Sequence, residues 1–188
     1  MNDMPASLAN HLLIALPALD DPNFARSVTL VCQHDADGAM GVVINRLSTY
    51  TLADVLAQMQ LPAHAPGLDQ RIVVDGGPVH PERGFVLHDG DPGWDSTLRI
   101  ANDLYLTTSR DILEAVSEGR GPDRLIVALG CAGWGAGQLE FELGENSWLT
   151  VPGNTDLLFD VPLEQRWQAA GGLIGVDMTR LTDYSGNA

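Results

Sequence analysis

Short apolar runs, most of them bounded by glycine, proline or aspartate, are the feature of this 188-residue sequence that most limits its fold. The sequence holds 20 glycines and 11 prolines, spread over its whole length, without an internal repeat or a low-complexity stretch. Runs of this length are typical of β-strands, and strands that follow one another without an intervening helix favour antiparallel pairing. We therefore expect one domain over residues 1–188, with an α+β fold around a mixed sheet flanked by helices.

The apolar runs predict nine strands, most of them bounded by turn residues. One turn has a clear mechanism: in the segment from Asp35 to Gly38, the aspartates can bond nearby backbone and the glycine takes positive φ, which predicts a hairpin. The predicted strands cover residues 11–16, 27–33, 40–45, 71–74, 84–88, 97–100, 104–107, 124–129 and 148–151.

Apolar residues at helical spacing predict three helices. In the first of them, Thr51 is the expected N-cap, and Asp54 three residues later makes the pattern close to a capping box. The run 139–143 fits both a strand and one face of a helix, so periodicity leaves it undecided. The three predicted helices cover residues 52–59, 109–119 and 162–170, with Ser109 as N-cap of the second and Gly171-Gly172 ending the third.

Lysine is missing from the sequence, and this excludes more chemistry than the net charge does. The ten basic residues are all arginine, against 25 acidic residues, for a formal charge of −15 and a pI of about 4.3. Without lysine there is no Schiff-base chemistry, no phosphate-loop lysine and no Ser-x-x-Lys acyl enzyme. Scattered single arginines form no positive stripe, which argues against direct nucleic-acid binding.

The two cysteines, Cys32 and Cys131, are too few and too far apart to suggest a disulfide framework, so free thiols in a reducing compartment are expected. The N-terminus lacks the positive charge of a signal peptide, and no apolar run reaches the length of a membrane span. We expect a cytoplasmic protein with no membrane contact.

Residues 130–137 are rich in glycine and follow a predicted buried strand, which is a setting where backbone N–H groups can hold an anion. Their spacing matches neither dinucleotide nor phosphate-loop motifs, so close packing of the strand is the favoured interpretation. Within this segment, Cys131 is either a reactive thiol or, more commonly for an isolated cysteine, a small buried apolar residue.

No motif of the sequence predicts a metal site or a cofactor. The five histidines form no H-x-H or H-E-x-x-H pattern and no cluster with cysteine. Aspartates follow His34 and His88, but turn chemistry explains them more simply than metal ligation. No serine lies in a G-x-S-x-G elbow.

Six motifs, in order, resemble those of the YqgE/AlgH family over nearly the whole chain. They are HLLIALP from His11, DPNF from Asp21, GAMGVVINR from Gly38, GGPV from Gly76, GFVLH from Gly84 and AGWGAGQLE from Ala132.

The resemblance implies a small bacterial cytoplasmic protein of α+β fold, with a mixed, largely antiparallel, partly barrel-like sheet and no established biochemical activity. Some family members carry the label of transcriptional regulator of alginate production. The resemblance also implies a helix over residues 137–145. This sequence departs from the family pattern at Leu47, where proline is usual, and at Cys131, where tyrosine is common, which argues against a nucleophile shared by the family.

The sequence is compatible with three functions. The first is a non-enzymatic regulatory or binding module that acts through a protein partner or a small ligand. The second is an enzyme that uses His88 as acid or base and Cys131 as nucleophile. The third, direct operator binding, is disfavoured by the negative charge of the chain. The sequence leaves the oligomeric state open.

Binding sites tend to lie at strand ends and in loops. A shared pocket is therefore expected to be lined by Asn45, Arg46, Gly76, Gly77, His88, Gly133 and Trp134.

Overall fold

The computed structural model describes residues 6–17, 19 and 21–183. Its central element is a curled sheet of nine strands. Within these residues the strands are β1 (His11–Ala15), β2 (Val28–Asp35), β3 (Gly38–Val43), β4 (Val73–Asp75), β5 (Val79–His88), β6 (Thr97–Ala101), β7 (Leu104–Thr107), β8 (Leu125–Gly135) and β9 (Trp148–Pro152). The helices are α1 (Leu52–Gln58), α2 (Arg110–Ser117), α3 (Gln138–Gly144), α4 (Thr155–Phe159), α5 (Arg166–Gly172) and α6 (Met178–Asp183).

The strand order is β6-β7-β5-β8-β3-β2-β1-β9, and β4 is added beside β8. Every pairing of named strands is antiparallel except that of β4 with β8, so the sheet is mixed and curls into a half barrel. The expected α+β class with a largely antiparallel, partly barrel-like sheet is confirmed.

Strand β8 organises the sheet because it has partners along both of its edges. Along one edge it pairs with β5 from Leu125 to Cys131. Along the other edge, its first half pairs with the parallel strand β4 and its second half with the antiparallel strand β3. Eleven residues of one strand thus connect the two halves of the sheet.

The inner face of the half barrel holds the main core. Buried aliphatic side chains of β1, β2, β3, β5 and β8 meet there, and buried residues of the C-terminal helices close the open side. Those closing residues are Leu157 and Leu158 of α4, Ala170 of α5 and Met178 of α6.

Two smaller clusters cover the outer face. Helices α1 and α2 pack over the first half of β8 through Leu52, Leu56 and Ile112, which are fully buried. Helix α3 covers the second half through Leu139, together with Trp134 and other residues of that cluster. The first half of β8 is therefore covered on both faces, which accounts for its nearly continuous apolar sequence, whereas Gly133 and Gly135 in the second half are exposed.

Two local predictions are confirmed in detail. The backbone N–H of Asp37 donates to Oδ1 of Asp35 over 2.8 Å at the turn, where Asp35 pairs with Gly38. At the start of α1, the Asp54 N–H donates to Thr51 Oγ1 over 3.1 Å, and the Thr51 N–H donates to Asp54 Oδ2 over 2.8 Å, a complete capping box.

The predicted strand 124–129 is shorter than the strand observed, Leu125–Gly135. Strand β8 continues through the glycine-rich segment to Gly135 instead of leaving the sheet there. The extension is held by pairing of Gly133 with Met40 and of Gly135 with Gly38 on β3. The segment is therefore part of a ladder and not an anion-binding loop.

The C-terminal helix predicted over residues 162–170 was also wrong in its bounds. A 3₁₀ turn, Leu163–Gln165, precedes α5, and the helix runs through Gly171-Gly172 rather than ending at them. Helices α4 and α6 were not predicted, because five or six residues carry too little periodicity to be recognised. The undecided run 139–143 lies in α3, as the family resemblance implied.

The junction of β4 with β8 needs glycine at two successive positions. A Cβ on Gly76 would lie 2.2 Å from the carbonyl oxygen of Gly130, and one on Gly77 would lie 2.4 Å from the backbone of Cys131. Gly77 also has φ +143°, a conformation that other residues rarely adopt. The two backbones can approach this closely only because neither glycine carries a side chain.

We expect Gly77→Ala to lower the free energy of unfolding by about 3 kcal/mol or more, because backbone strain adds to overlap with a neighbouring strand. For a chain of this size, that loss lowers the melting midpoint by about 6 to 12 °C. Circular dichroism melting checks this. The control is Gly144→Ala, where a Cβ meets nothing within 4 Å; a Gly77→Ala midpoint equal to that of the control would contradict the account.

Candidate functional site

A groove of about 450 Å³ lies on the outer face of the sheet, between α1 and α2. Its floor is apolar: Val86 of β5 and Leu129 of β8 lie beneath it, with Val55 of α1 and Leu113 of α2 as walls. The rest of the lining comes from Tyr50, Gln58, Met59, the segment 81–84, and the segment 107–110 that leads into α2.

One wall of the groove is made by an irregularity in β5. Val79 pairs with Cys131 and Gly84 with Leu129, so four residues of β5 oppose a single residue of β8. His80, inside this bulge, has φ +49°, and Gly130 opposite has φ +77°. The bulge pushes Pro81 and Glu82 outward, where they line the groove.

Polar groups of the rim differ in whether they are already bonded. Arg110 donates to Glu114 over 2.8 Å, and the hydroxyl of Ser109 donates to Asp111 over 2.6 Å. Within the described residues, the Tyr50 hydroxyl and the side-chain amide of Gln58 form no hydrogen bond, and Tyr50 is 55% exposed. An apolar floor with unbonded polar groups at its edge is typical of small-molecule sites.

None of the seven residues expected to line a shared pocket lies in this groove. Four of them do come together, at the point where β3 leaves the sheet and β4 ends. The Val43 N–H donates to the Gly76 carbonyl and the Asp75 N–H to the Arg46 carbonyl, which places 45–46 beside 76–77.

The side chains of Asn45 and Arg46 are used to hold backbone. Asn45 accepts from the Val28 N–H over 2.8 Å and donates to the Arg26 carbonyl over 2.9 Å. The Arg46 guanidinium donates to the carbonyl oxygens of Asn23 and Ala25. This pair therefore ties the loop before β2 to the end of β3.

His88 lies elsewhere and is fully buried. Its Nδ1 is 2.9 Å from the Asp89 carbonyl, which can only accept, so Nδ1 carries the proton and Nε2 accepts from the Thr107 hydroxyl over 2.7 Å. Burial lowers the pKa of His88, and the hydrogen bond to Asp89 opposes that shift. His88 is thus a neutral structural residue with both ring nitrogens occupied, unlike the acid or base considered from the sequence.

Trp134 belongs to an aromatic cluster under α3. The indole N–H groups of Trp134 and Trp148 both donate to Oε2 of Glu142, over 2.9 and 3.0 Å. The Phe24 ring lies 6.2 and 5.5 Å from these two rings, centroid to centroid. Gly133, next to Trp134, is exposed and faces Val79.

The expected shared pocket is therefore not formed. His88 pairs with Leu125 at the start of β8, whereas Trp134 lies nine residues further along the same strand, which corresponds to about 30 Å when extended. The sequence placed His88 at a strand end correctly, but it placed Trp134 in a segment after the predicted strand 124–129, and it could not show that the two residues lie near opposite ends of β8.

Cys131 is 4% exposed and lies in the inner core with Cys32, which is also buried. Burial raises the pKa of the Cys131 thiol, and the nearby Arg83 partly opposes the shift. Burial likewise raises the pKa of Cys32. Both thiols are therefore held protonated and away from solvent.

Two further features concern ligands and membranes. In the described part of the chain, no three His, Cys, Asp or Glu side chains are grouped so as to hold a metal ion. None of the described helices is long and apolar enough to span a bilayer.

No pattern in the sequence indicated the groove. Tyr50, Gln58 and residues 81–83 carry no motif, and the groove exists only where two helices and a strand bulge meet.

The fold and groove together define a single α+β domain with a half-barrel sheet and a ligand-sized recess on its outer face. Residues 12–179 match the family described as AlgH-like. The chain therefore belongs to the AlgH-like family, and the resemblance seen in its motifs is confirmed.

The curated relatives are full-length matches. UPF0301 proteins from Xanthomonas campestris pv. campestris and Xanthomonas axonopodis pv. citri are each 63% identical over 188 residues, covering all of both chains.

Two solved structures share the fold. The solution structure of AlgH from Pseudomonas aeruginosa matches with a TM-score of 0.80 and 46% identity, covering all of both chains. A crystal structure of a Corynebacterium diphtheriae protein matches with a TM-score of 0.74 over 97% of this chain and 94% of that one; at 21% identity it shows the fold alone.

We expect Cys131 to react with iodoacetamide at pH 7 at least about tenfold more slowly than free glutathione, because a buried thiol of raised pKa is neither ionised nor accessible. A Cys32→Ala variant isolates the reaction, and mass spectrometry before and after denaturation measures it. If Cys131 of the folded protein were labelled as fast as glutathione, the thiol would be accessible and ionised, and a role as nucleophile would again be supported.

We expect Glu142→Ala to cost about 2 to 4 kcal/mol of unfolding free energy, because two indole N–H groups lose a charged acceptor. Denaturant titration followed by tryptophan fluorescence measures it. Glu145→Ala, an exposed position just past α3, is the control. Equal stability of the two variants would show that the Glu142 bonds contribute nothing.

Proposed function

We propose that this protein is a non-enzymatic binding module with a regulatory role, and that it takes a small ligand in the α1–α2 groove. The observation that carries the proposal is the groove itself, with its volume of about 450 Å³, its apolar floor and the unbonded Tyr50 and Gln58 on its rim. Volumes of this size are common for small-molecule sites.

The positions of the two residues considered for catalysis support binding rather than reaction. The Cys131 side chain lies in the inner core, and His88 is buried with both nitrogens bonded. Thr107 connects His88 to the groove wall, but it is fully buried and its hydroxyl bonds the His88 ring. The described groove lining contains no histidine or cysteine, and the Ser109 hydroxyl, which donates to Asp111, also accepts from the Ser96 N–H over 3.0 Å at the start of α2.

We propose that the protein acts in the cytoplasm. It binds a small ligand or a protein partner rather than nucleic acid. The formal charge of −15 supports the choice, because a nucleic-acid site must replace counterions with a concentrated positive surface. Two buried, unpaired thiols fit a reducing compartment.

The test is a thermal-shift screen of the purified protein against a library of bacterial metabolites. A ligand present at a hundred times its Kd stabilises the folded state by about 2.7 kcal/mol. For a chain of this size, that raises the melting midpoint by roughly 5 to 10 °C. We expect at least one such compound, with its effect lost in Gln58→Trp, since the new ring fills the groove.

Ala57→Trp is the matched control, because Ala57 is exposed on the same helix and does not line the groove. Stabilising compounds should keep their effect in this variant. The proposal fails if no compound raises the midpoint, or if every compound that does so acts equally on Gln58→Trp.

A further inference from the structure

A second recess, of about 290 Å³, lies where β4 and β8 begin, away from the groove between α1 and α2. Its walls come from the stretch before β4, the start of β8, and the connection from α4 to α5. The lining combines polar and apolar surface in similar amounts, and its apolar residues include Ile72, Ile126, Phe159, Val161, Pro162 and Leu163.

A buried arginine forms part of this recess. Arg166, the first residue of α5, is 4% exposed. Its Nε donates to the Val161 carbonyl over 3.0 Å, and its Nη1 donates to the Ile44 carbonyl. Both acceptors are neutral main-chain oxygens, and no carboxylate of the described residues forms a salt bridge with Arg166.

The guanidinium therefore has donors to spare. A guanidinium has five N–H groups, and two are used in the bonds to Val161 and Ile44. Nη2 forms no hydrogen bond with any described residue. A cation buried without a counter-charge is unfavourable, and burial lowers the pKa of Arg166 accordingly.

Charged side chains of both signs lie around the recess. Arg71 also lines the recess, is exposed, and forms no ion pair with any described residue. The carboxylate of Asp160 lies 3.0 Å from Arg124, which also pairs with Asp156 and Asp89. Glu164 is exposed, and its charge acts on Arg166 without a salt bridge to it.

We propose that the Arg166 recess is a second binding site, which takes a small molecule carrying a carboxylate or phosphate group on a short apolar or aromatic body. The oxyanion is bound by the spare donors of Arg166, with Arg71 supplying a second positive charge at the mouth. The apolar walls, Ile72 and Phe159 among them, contact the body of the ligand. Carboxylate and phosphate share this recognition because both match the planar donor fork of arginine.

The test is an NMR titration of the ¹⁵N-labelled full chain with benzoate and with phenyl phosphate. We expect at least one of them to shift the Arg166 Nε–H signal and the amide signals of Ile72 and Phe159, saturating below about 10 mM. Benzyl alcohol, which lacks the anion, should leave the Arg166 signal in place. The anion that binds more tightly identifies the preferred oxyanion.

Variants decide whether the charge acts locally. Arg71→Gln alters an exposed side chain and should weaken binding about tenfold. Arg99→Gln removes the positive charge of an exposed side chain on β6, outside the recess, and should leave the affinity unchanged, as should the groove variant Gln58→Trp. The proposal is overturned if neither anion shifts the Arg166 signal at about 10 mM, if benzyl alcohol shifts it equally, or if Arg99→Gln weakens binding as much as Arg71→Gln.

Discussion

The close approach of two backbones, at Gly76-Gly77 and Gly130-Cys131, is the constraint on which the rest of the structure depends. It lets β4 lie parallel to the first half of β8, while β3 takes the second half of the same edge. With β5 along the opposite edge, β8 becomes the strand that joins both halves of the sheet. Both recesses include residues of β8, with Leu129 at the groove and Leu125 and Ile126 at the Arg166 recess.

Much of this fold could be predicted from the sequence, because local signals and tertiary structure agree. The hairpin at 35–38 and the capping box at 51–54 were recognisable from turn and cap chemistry alone. The continuation of β8 through its glycines was not, since glycine normally weakens a strand. At Gly130 the glycine is required because the Gly77 carbonyl occupies the space that a side chain would take, whereas Gly133 and Gly135 have no backbone that close. That reason becomes visible only when the strands are paired.

The site was less predictable, for a related reason. Polar residues at strand ends were natural candidates for a binding site. However, the side chains of Asn45 and Arg46 hydrogen-bond to backbone, and the buried His88 ring hydrogen-bonds to Thr107. The groove comes from the packing of α1 and α2 on a β5 bulge, and such packing leaves no local pattern. Arg166 lies within the helix predicted over residues 162–170, but that prediction did not indicate its burial. Only the fold shows whether the Arg166 guanidinium forms a salt bridge with a carboxylate.

The measurement that tests the organising role of β8 most directly is native-state hydrogen exchange. If β8 joins the two halves of the sheet, the amides from Ile126 to Trp134 should exchange only through global unfolding, with the free energy found by denaturant titration. The edge strands β6 and β9 should open at lower free energy. Exchange of the β8 amides through local opening, at a free energy below that of β6 or β9, would contradict the account.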